Sequence, residues 1–242
     1  MIALVGDSAG APTLLLFDID GTLLSGAAVA HRNALYEALR LVHAVDAPAV
    51  GLSIHPGGRT DGEIARSILL DAGVSATRID ERAEAVQDAC CQAYARLCDA
   101  DLSHHLVAGI AELLEWVAGT DRARLALVTG NYEPVARLKL TRAGIGRWFP
   151  TGQGGFGSDA EDRAALPPIA RRRAGQAGVS FPRERTVVIG DTPRDIACAR
   201  ADGLRCIAVA TGPFDAEELS GADLVARSTE ELRDALDQAL AA

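Results

Sequence analysis

Two aspartates one residue apart, Asp18 and Asp20, close an apolar run that starts at Thr13 (TLLLFDIDGTLL). Such a run is built for burial, and a carboxylate at its end is costly unless something pairs with it. The pattern returns further along. "LALVTGN" ends in Thr129, Gly130 and Asn131, and "TVVIGD" ends in Asp191, with Asp195 four residues on. If these runs are strands of one sheet, their ends bring three or four acids, a hydroxyl and backbone N–H groups to one rim. Clustered carboxylates repel one another, so a hard divalent cation is their natural counter-charge. Mg²⁺ takes oxygen ligands and keeps waters, which suits a phosphate bridged to the metal.

The elements needed to hold that rim can be read from periodicity. The first strand spans about 13 to 18, and a Gly-containing turn follows it. Helical patterns then cover about 28 to 45, 61 to 72 and 77 to 98, with no convincing strand among them. From about 106 the pattern becomes a regular alternation: "LVAGIAELLEWVA" (helix), "RLALVTGN" (strand), "VARLKLTRAGI" (helix), and a short strand near Phe149 to Gly155. A helix through "IARRRAGQAG", the strand "TVVIGD", the helix "RDIACARADG", the strand "RCIAVA", a tail strand near "ADLVA" and a helix from about 229 complete it. This alternation predicts an α/β fold, a doubly wound (Rossmann-like) parallel sheet covered on both faces. Residues 1–25 and 105–242 form the expected core, and 26–104 an α-helical cap inserted after the first strand. Ligands of such sheets bind beyond the carboxyl ends of the strands, where the acids lie.

The constellation resembles the haloacid dehalogenase-like hydrolase superfamily, and more closely its phosphoglycolate phosphatase-like branch with an inserted helical cap. The matching stretches are "FDIDGTLL", "LVTGN" and "VVIGDTPRDI", in order and at similar spacing from the first strand to about Val209. The resemblance implies that Asp18 is the nucleophile, forming an aspartyl-phosphate, and that Asp20 protonates the leaving oxygen and then activates water. It implies Mg²⁺ held by Asp18, the backbone carbonyl of Asp20 and Asp191, with Thr129 and the N–H groups of Gly130 and Asn131 on the phosphoryl oxygens. Members that dehalogenate lack the second acid, so Asp20 favours phosphoryl transfer.

The family usually supplies a lysine after the third strand. Here "GSDAEDRAALPPIA" offers Arg163, which is always charged and can grip phosphate through two N–H groups. Lys139, the chain's single lysine, is the other candidate, but its mid-helix position predicts a solvated face.

Several residues carry plainer readings beside the chemical ones. Asp195 is a candidate metal ligand, but it stands three after Thr192 with Pro193 between, a variant capping box, and it can cap the helix while touching the metal's water shell. In "GGRTDGE", Arg59 is a candidate contact for a substrate carboxylate or phosphate, or a solvated cation beside a Thr60–Glu63 capping box. His104 and His105 are neighbours and do not face one target, so they read as a hinge. Cys90, Cys91 and Cys98 share one helix without CxxC spacing and read as buried thiols rather than a metal site.

Bulk properties narrow the function classes. Net charge is −9, and the basic run Arg171–Arg173 has no interleaved aromatics, which disfavours nucleic acid. No stretch reaches the roughly 18 uninterrupted apolar residues of a membrane span. The N-terminal residues have no basic region and are broken by Asp7 and Pro12, so no signal peptide is read and a cytoplasmic location is expected. The expected partner is a small phosphorylated metabolite, and the expected state a monomer or homodimer. The alternatives are a phosphosugar mutase of the β-phosphoglucomutase type, a catalytically silent binding protein on the same fold, and a regulatory phospho-acceptor. The last is disfavoured by the chain's length and the helical insertion.

Overall fold

A computed structural model describes residues 12–50 and 53–241. The signal-peptide reading rests largely on residues 1–11, which lie outside them. In chain order the elements are β1 (Thr13–Phe17), α1 (Ala28–His43), α2 (Ala47–Val50), α3 (Asp61–Asp71), α4 (Ala76–Leu97) and α5 (Ile110–Ala118). β2 (Ala123–Thr129), α6 (Glu133–Arg142), β3 (Gly155–Phe156), α7 (Leu166–Ala174) and β4 (Thr186–Gly190) follow. α8 (Pro193–Ala201), β5 (Arg205–Val209), β6 (Leu224–Ala226) and α9 (Thr229–Ala241) end the chain.

The six strands form one sheet in the order β3-β2-β1-β4-β5-β6, every neighbouring pair parallel. Because side chains alternate across a strand, β1 feeds two cores. Leu15 and Phe17 pack with Leu127 and Ile189 on one face, Leu14 and Leu16 with Val128, Leu166 and Ala199 on the other. Both faces are therefore covered, and β1 is buried throughout, which is why it reads as an unbroken apolar run.

The helices between β1 and α5 form the inserted cap. α1 lies along α4 and the two share buried Leu35, Leu39, Val86, Cys90 and Tyr94. The chain leaves and re-enters the core side by side: the Ser25 N–H donates to the carbonyl of His105 (2.8 Å), and the Val107 N–H to that of Leu23 (3.1 Å). His105 Nδ1 also lies 2.8 Å from the Ser25 carbonyl.

Three element boundaries differ from the periodicity reading. The strand expected over 149 to 155 is only Gly155–Phe156. Pro150 has no N–H to give a ladder, and Gly152 and Gly154 take φ of 80° and 105°, so the chain turns where alternation alone suggested extension. The helix expected from 106 begins at Ile110, because Leu106 and Val107 bridge to the β1 exit and Gly109 holds φ 76°. α7 starts earlier than expected, since Pro167 and Pro168 occupy its first turn, where a missing N–H costs nothing.

Candidate active site

The sheet's order reverses between β1 and β4, and the three motifs meet in that crevice. Asp18 follows β1 directly, its N–H donating to the carbonyl of Ile189 in β4 (2.8 Å). Thr129 ends β2 and Asp191 follows β4. Asp18, Asp191 and Asp195 each bring a buried carboxylate oxygen within 4.8 Å of the others. Arg163, in a 3₁₀ turn before α7, reaches the same place: its Nη2 lies 3.1 Å from Asp18 Oδ1 and also donates to Asp195 Oδ1.

Asp195 completes the capping box of α8. Its Oδ2 accepts from the Thr192 N–H (3.0 Å) and hydroxyl (2.7 Å), so both oxygens are engaged. Asp191 is different. Its Oδ1 accepts from Thr22 Oγ1 (3.2 Å), while Oδ2 is buried with no hydrogen-bond partner among the described residues. A Cβ on Gly21 would stand 2.0 Å from that oxygen, and one on Gly212 1.8 Å. Two glycines thus keep space around one orphaned carboxylate oxygen.

Burial pushes the Asp18 carboxyl up to about 7; Arg163 pulls it back, and Asp195 and Asp20 add to the rise. Burial and the charges of Asp18 and Asp195 push Asp191 up to about 8. These groups are ionised together only with a further positive charge among them. Converging oxygens, an unsatisfied acceptor and a side-chain-free cradle fit a hard divalent cation.

Asp20 turns to other partners. Its carboxylate receives both Oδ bonds from Lys139 Nζ, each 2.6 Å, and one from Asn131 Nδ2 (2.9 Å). Burial alone would raise its pKa, but Lys139 and Asn131 outweigh that and hold it below the ordinary carboxylate value. Lys139 corrects the sequence reading. It is fully buried rather than solvated, because α6 is covered by the cap helix α4 as well as by the core. His31 of α1 and Asp61 of α3 join it: His31 Nδ1 is 3.3 Å from Lys139 Nζ, and His31 Nε2 is 3.0 Å from Asp61 Oδ2. Sequence reasoning missed both. A usable signal was the solitary lysine itself, in a chain whose other permanent cations are all arginine.

The remaining candidates lie close by. Thr129 is fully buried, its Oγ1 accepting from the Asn131 N–H (3.3 Å). The Gly130 carbonyl accepts from the Asp61 N–H (2.8 Å), and a Cβ on Gly130 would fall 2.0 Å from the Arg59 carbonyl oxygen, so cap and core backbones touch there. Thr60 caps α3 by accepting from the Glu63 N–H (3.1 Å), but Glu63 pairs with Arg59 instead of closing a capping box. Arg59 Nε donates to the His55 carbonyl (2.9 Å). A cavity of about 430 Å³ joins these groups, walled by Asp18, Asp20 and Arg163 below and by Arg32, Tyr36 and Arg59 of the cap.

Residues 15–200 match the family model described as haloacid dehalogenase-like hydrolase, and the chain belongs to that family. It lies in the family's phosphatase branch. It is 26% identical over 212 residues to Phosphoglycolate phosphatase 1 of Pseudomonas aeruginosa and 28% over 208 residues to a phosphoglycolate phosphatase of Pseudomonas syringae pv. tomato. Each match covers 83% of this chain and 70% of the relative. Among solved structures, a hydrolase from Pseudomonas syringae aligns with a TM-score of 0.65 at 25% identity, covering 93% of this chain and 98% of that one. A β-phosphoglucomutase from Clostridium difficile aligns with a TM-score of 0.67 at 17% identity, covering 95% and 97%, which is a likeness of fold alone.

Proposed function

We propose that the chain is a Mg²⁺-dependent phosphatase that hydrolyses a small phosphorylated metabolite through an aspartyl-phosphate on Asp18. The observation that carries this reading is the buried Asp18 carboxylate, gripped by Arg163 on one oxygen, with Asp20 two residues away at the same cavity wall. Asp18 attacks phosphorus and the bond to the leaving oxygen breaks; Asp20, which Lys139 and Asn131 hold ionised in the resting chain, must first take up a proton in the closed site to hand it to that oxygen. In the second step Asp20 takes a proton from water as the water's oxygen attacks phosphorus, freeing Asp18 and phosphate. Arg163 stabilises charge on Asp18 and the phosphoryl oxygens, and Thr129 with the N–H groups of Gly130 and Asn131 orients them.

Asp18, Asp191 and the Asp20 carbonyl would hold Mg²⁺, which when bound supplies positive charge against the nucleophile and phosphate. Asp195, with both oxygens engaged, serves from behind by fixing Arg163 and α8.

Residues 26–104 act as the cap that excludes water and selects the leaving group, with Arg59 facing its polar end. The paired hydrogen bonds of Ser25 and His105 support placing the division there.

The test is phosphate release from a panel of small phosphomonoesters that includes phosphoglycolate, with and without Mg²⁺. The expected outcome is metal-dependent release that falls at least ~10³-fold in Asp18→Asn. A folded chain that releases nothing in Mg²⁺ refutes the reading, and isomerised phosphosugar without free phosphate points to a mutase.

A further inference from the structure

Lys139 Nζ can only donate, and it has three protons to place. The structure supplies three acceptors: Asp20 Oδ1, Asp20 Oδ2 and His31 Nδ1. That fixes the imidazole as well. Because Nδ1 accepts from the ammonium, the ring's proton sits on Nε2 and is donated to Asp61 Oδ2, an assignment made from the network. The same Asp61 oxygen accepts the N–H of Tyr132 (2.7 Å), just beyond the Thr129–Asn131 turn. The line from Asp20 to Asp61 therefore runs from core helix α6 through cap helices α1 and α3 and back to the core. Such a line costs desolvation of a lysine that an apolar side chain would avoid, and the chain's only lysine stands in it.

We propose that Lys139, seated by His31 and Asp61, is the positioning residue for Asp20, so that the acid/base is correctly placed only while the cap is seated. The inference rests on the phosphatase reading for what Asp20 does. Lys139 reaches neither nucleophile nor phosphate; it sets the rotamer of the carboxylate that moves the proton. Two bonds from one ammonium nitrogen, one to each oxygen, leave that carboxylate little freedom, and with His31 withdrawn the ammonium loses its third anchor. In this arrangement cap seating governs turnover rather than affinity.

The experiment compares kcat and KM of the native chain, Lys139→Ala, Lys139→Ala with added methylammonium or ethylammonium, His31→Leu and His31→Gln. Lys139→Ala is expected to lose ~10²-fold in kcat with KM little changed, the order expected for a misplaced proton-transfer group. Alkylammonium, which refills the cavity with a donor, is expected to restore much of that loss. His31→Leu is expected to lose about tenfold in kcat, and His31→Gln to recover it, because the amide can accept from Lys139 and donate to Asp61. Native kcat in Lys139→Ala, or a loss that appears in KM and ignores alkylammonium, overturns the proposal. If Lys139→Ala does not fold, the His31 pair decides, and His31→Leu with native kcat overturns it. An inactive native chain refutes the phosphatase reading instead. The positioning claim is then read from crystal structures of the His31 variants, where an unmoved Asp20 carboxylate in His31→Leu overturns it.

Discussion

On one side of the crevice Asp18, Asp191 and Asp195 crowd together with a single guanidinium that reaches only Asp18 and Asp195, and a buried oxygen of Asp191 has no partner among the described residues. On the other side, two residues along the same chain, Asp20 meets one ammonium and one amide, and every donor of that ammonium is used. The first side is short of positive charge and the second is complete. A protein has little reason to keep the deficit for stability, since unpaired buried carboxylates cost free energy. The proposed Mg²⁺ site is that deficit, and the complete side is the frame beside it.

Removing what positive charge the deficient side has should do the most damage. Arg163→Met leaves two buried carboxylates facing each other, and the expected cost is about 3 to 5 kcal/mol in denaturant unfolding. Arg163→Lys, still charged and able to give both bonds from one nitrogen as Nη2 does, should recover most of it; equal stability of native and Met variants would erase the contrast between the sides.

Supplying charge should do the reverse. At a hundredfold excess over its dissociation constant, Mg²⁺ is expected to stabilise the native chain by about 2.7 kcal/mol, read as a rise in Tm. Asp191→Asn, which removes one of the repelling acids, should melt higher than native without metal and gain little from it. A variant that gains as much as the native chain would move the cation away from Asp191.

The smallest effect is expected far from the crevice, in the cap. Both ring nitrogens of His43 are buried without partners among the described residues, and burial, then Arg78 and Arg82, push its pKa below 6.5. The unfolded chain therefore binds a proton there more readily, so stability is full above about pH 6.5 and falls as pH drops below it. Replacing His43 by Gln should flatten the fall in Tm between pH 7.5 and 5 by about 2 °C. An unchanged slope would assign the acid sensitivity to the carboxylates of the crevice.

Much of the deficient side was legible in the sequence, because each of Asp18, Thr129 and Asp191 stands at the end of an apolar run, and a parallel sheet brings such ends together. The complete side was not. Lys139 lies on a helix whose exposed-looking face is covered by α4, a segment far away in sequence, and a helical pattern does not reveal what will later pack on it. His31 and Asp61 were hidden for the same reason. Each sits near the start of a cap helix, where a polar residue is ordinary, and only the folded cap turns them toward Asp20. Phe149 misled in the opposite sense: its burial is real, but it comes from packing beside Phe17 at a turn and not from a strand.

The solitary, buried lysine has a practical consequence. A lysine-specific protease has one bond to cut in this chain, the one after Lys139, and amine-directed reagents have one side chain to find. Both are blocked while α6 stays wrapped between core and cap. The speed of cutting or labelling thus becomes a clock for the opening of that helix, built into the native protein, needing no introduced probe and leaving the crevice untouched until the clock has run.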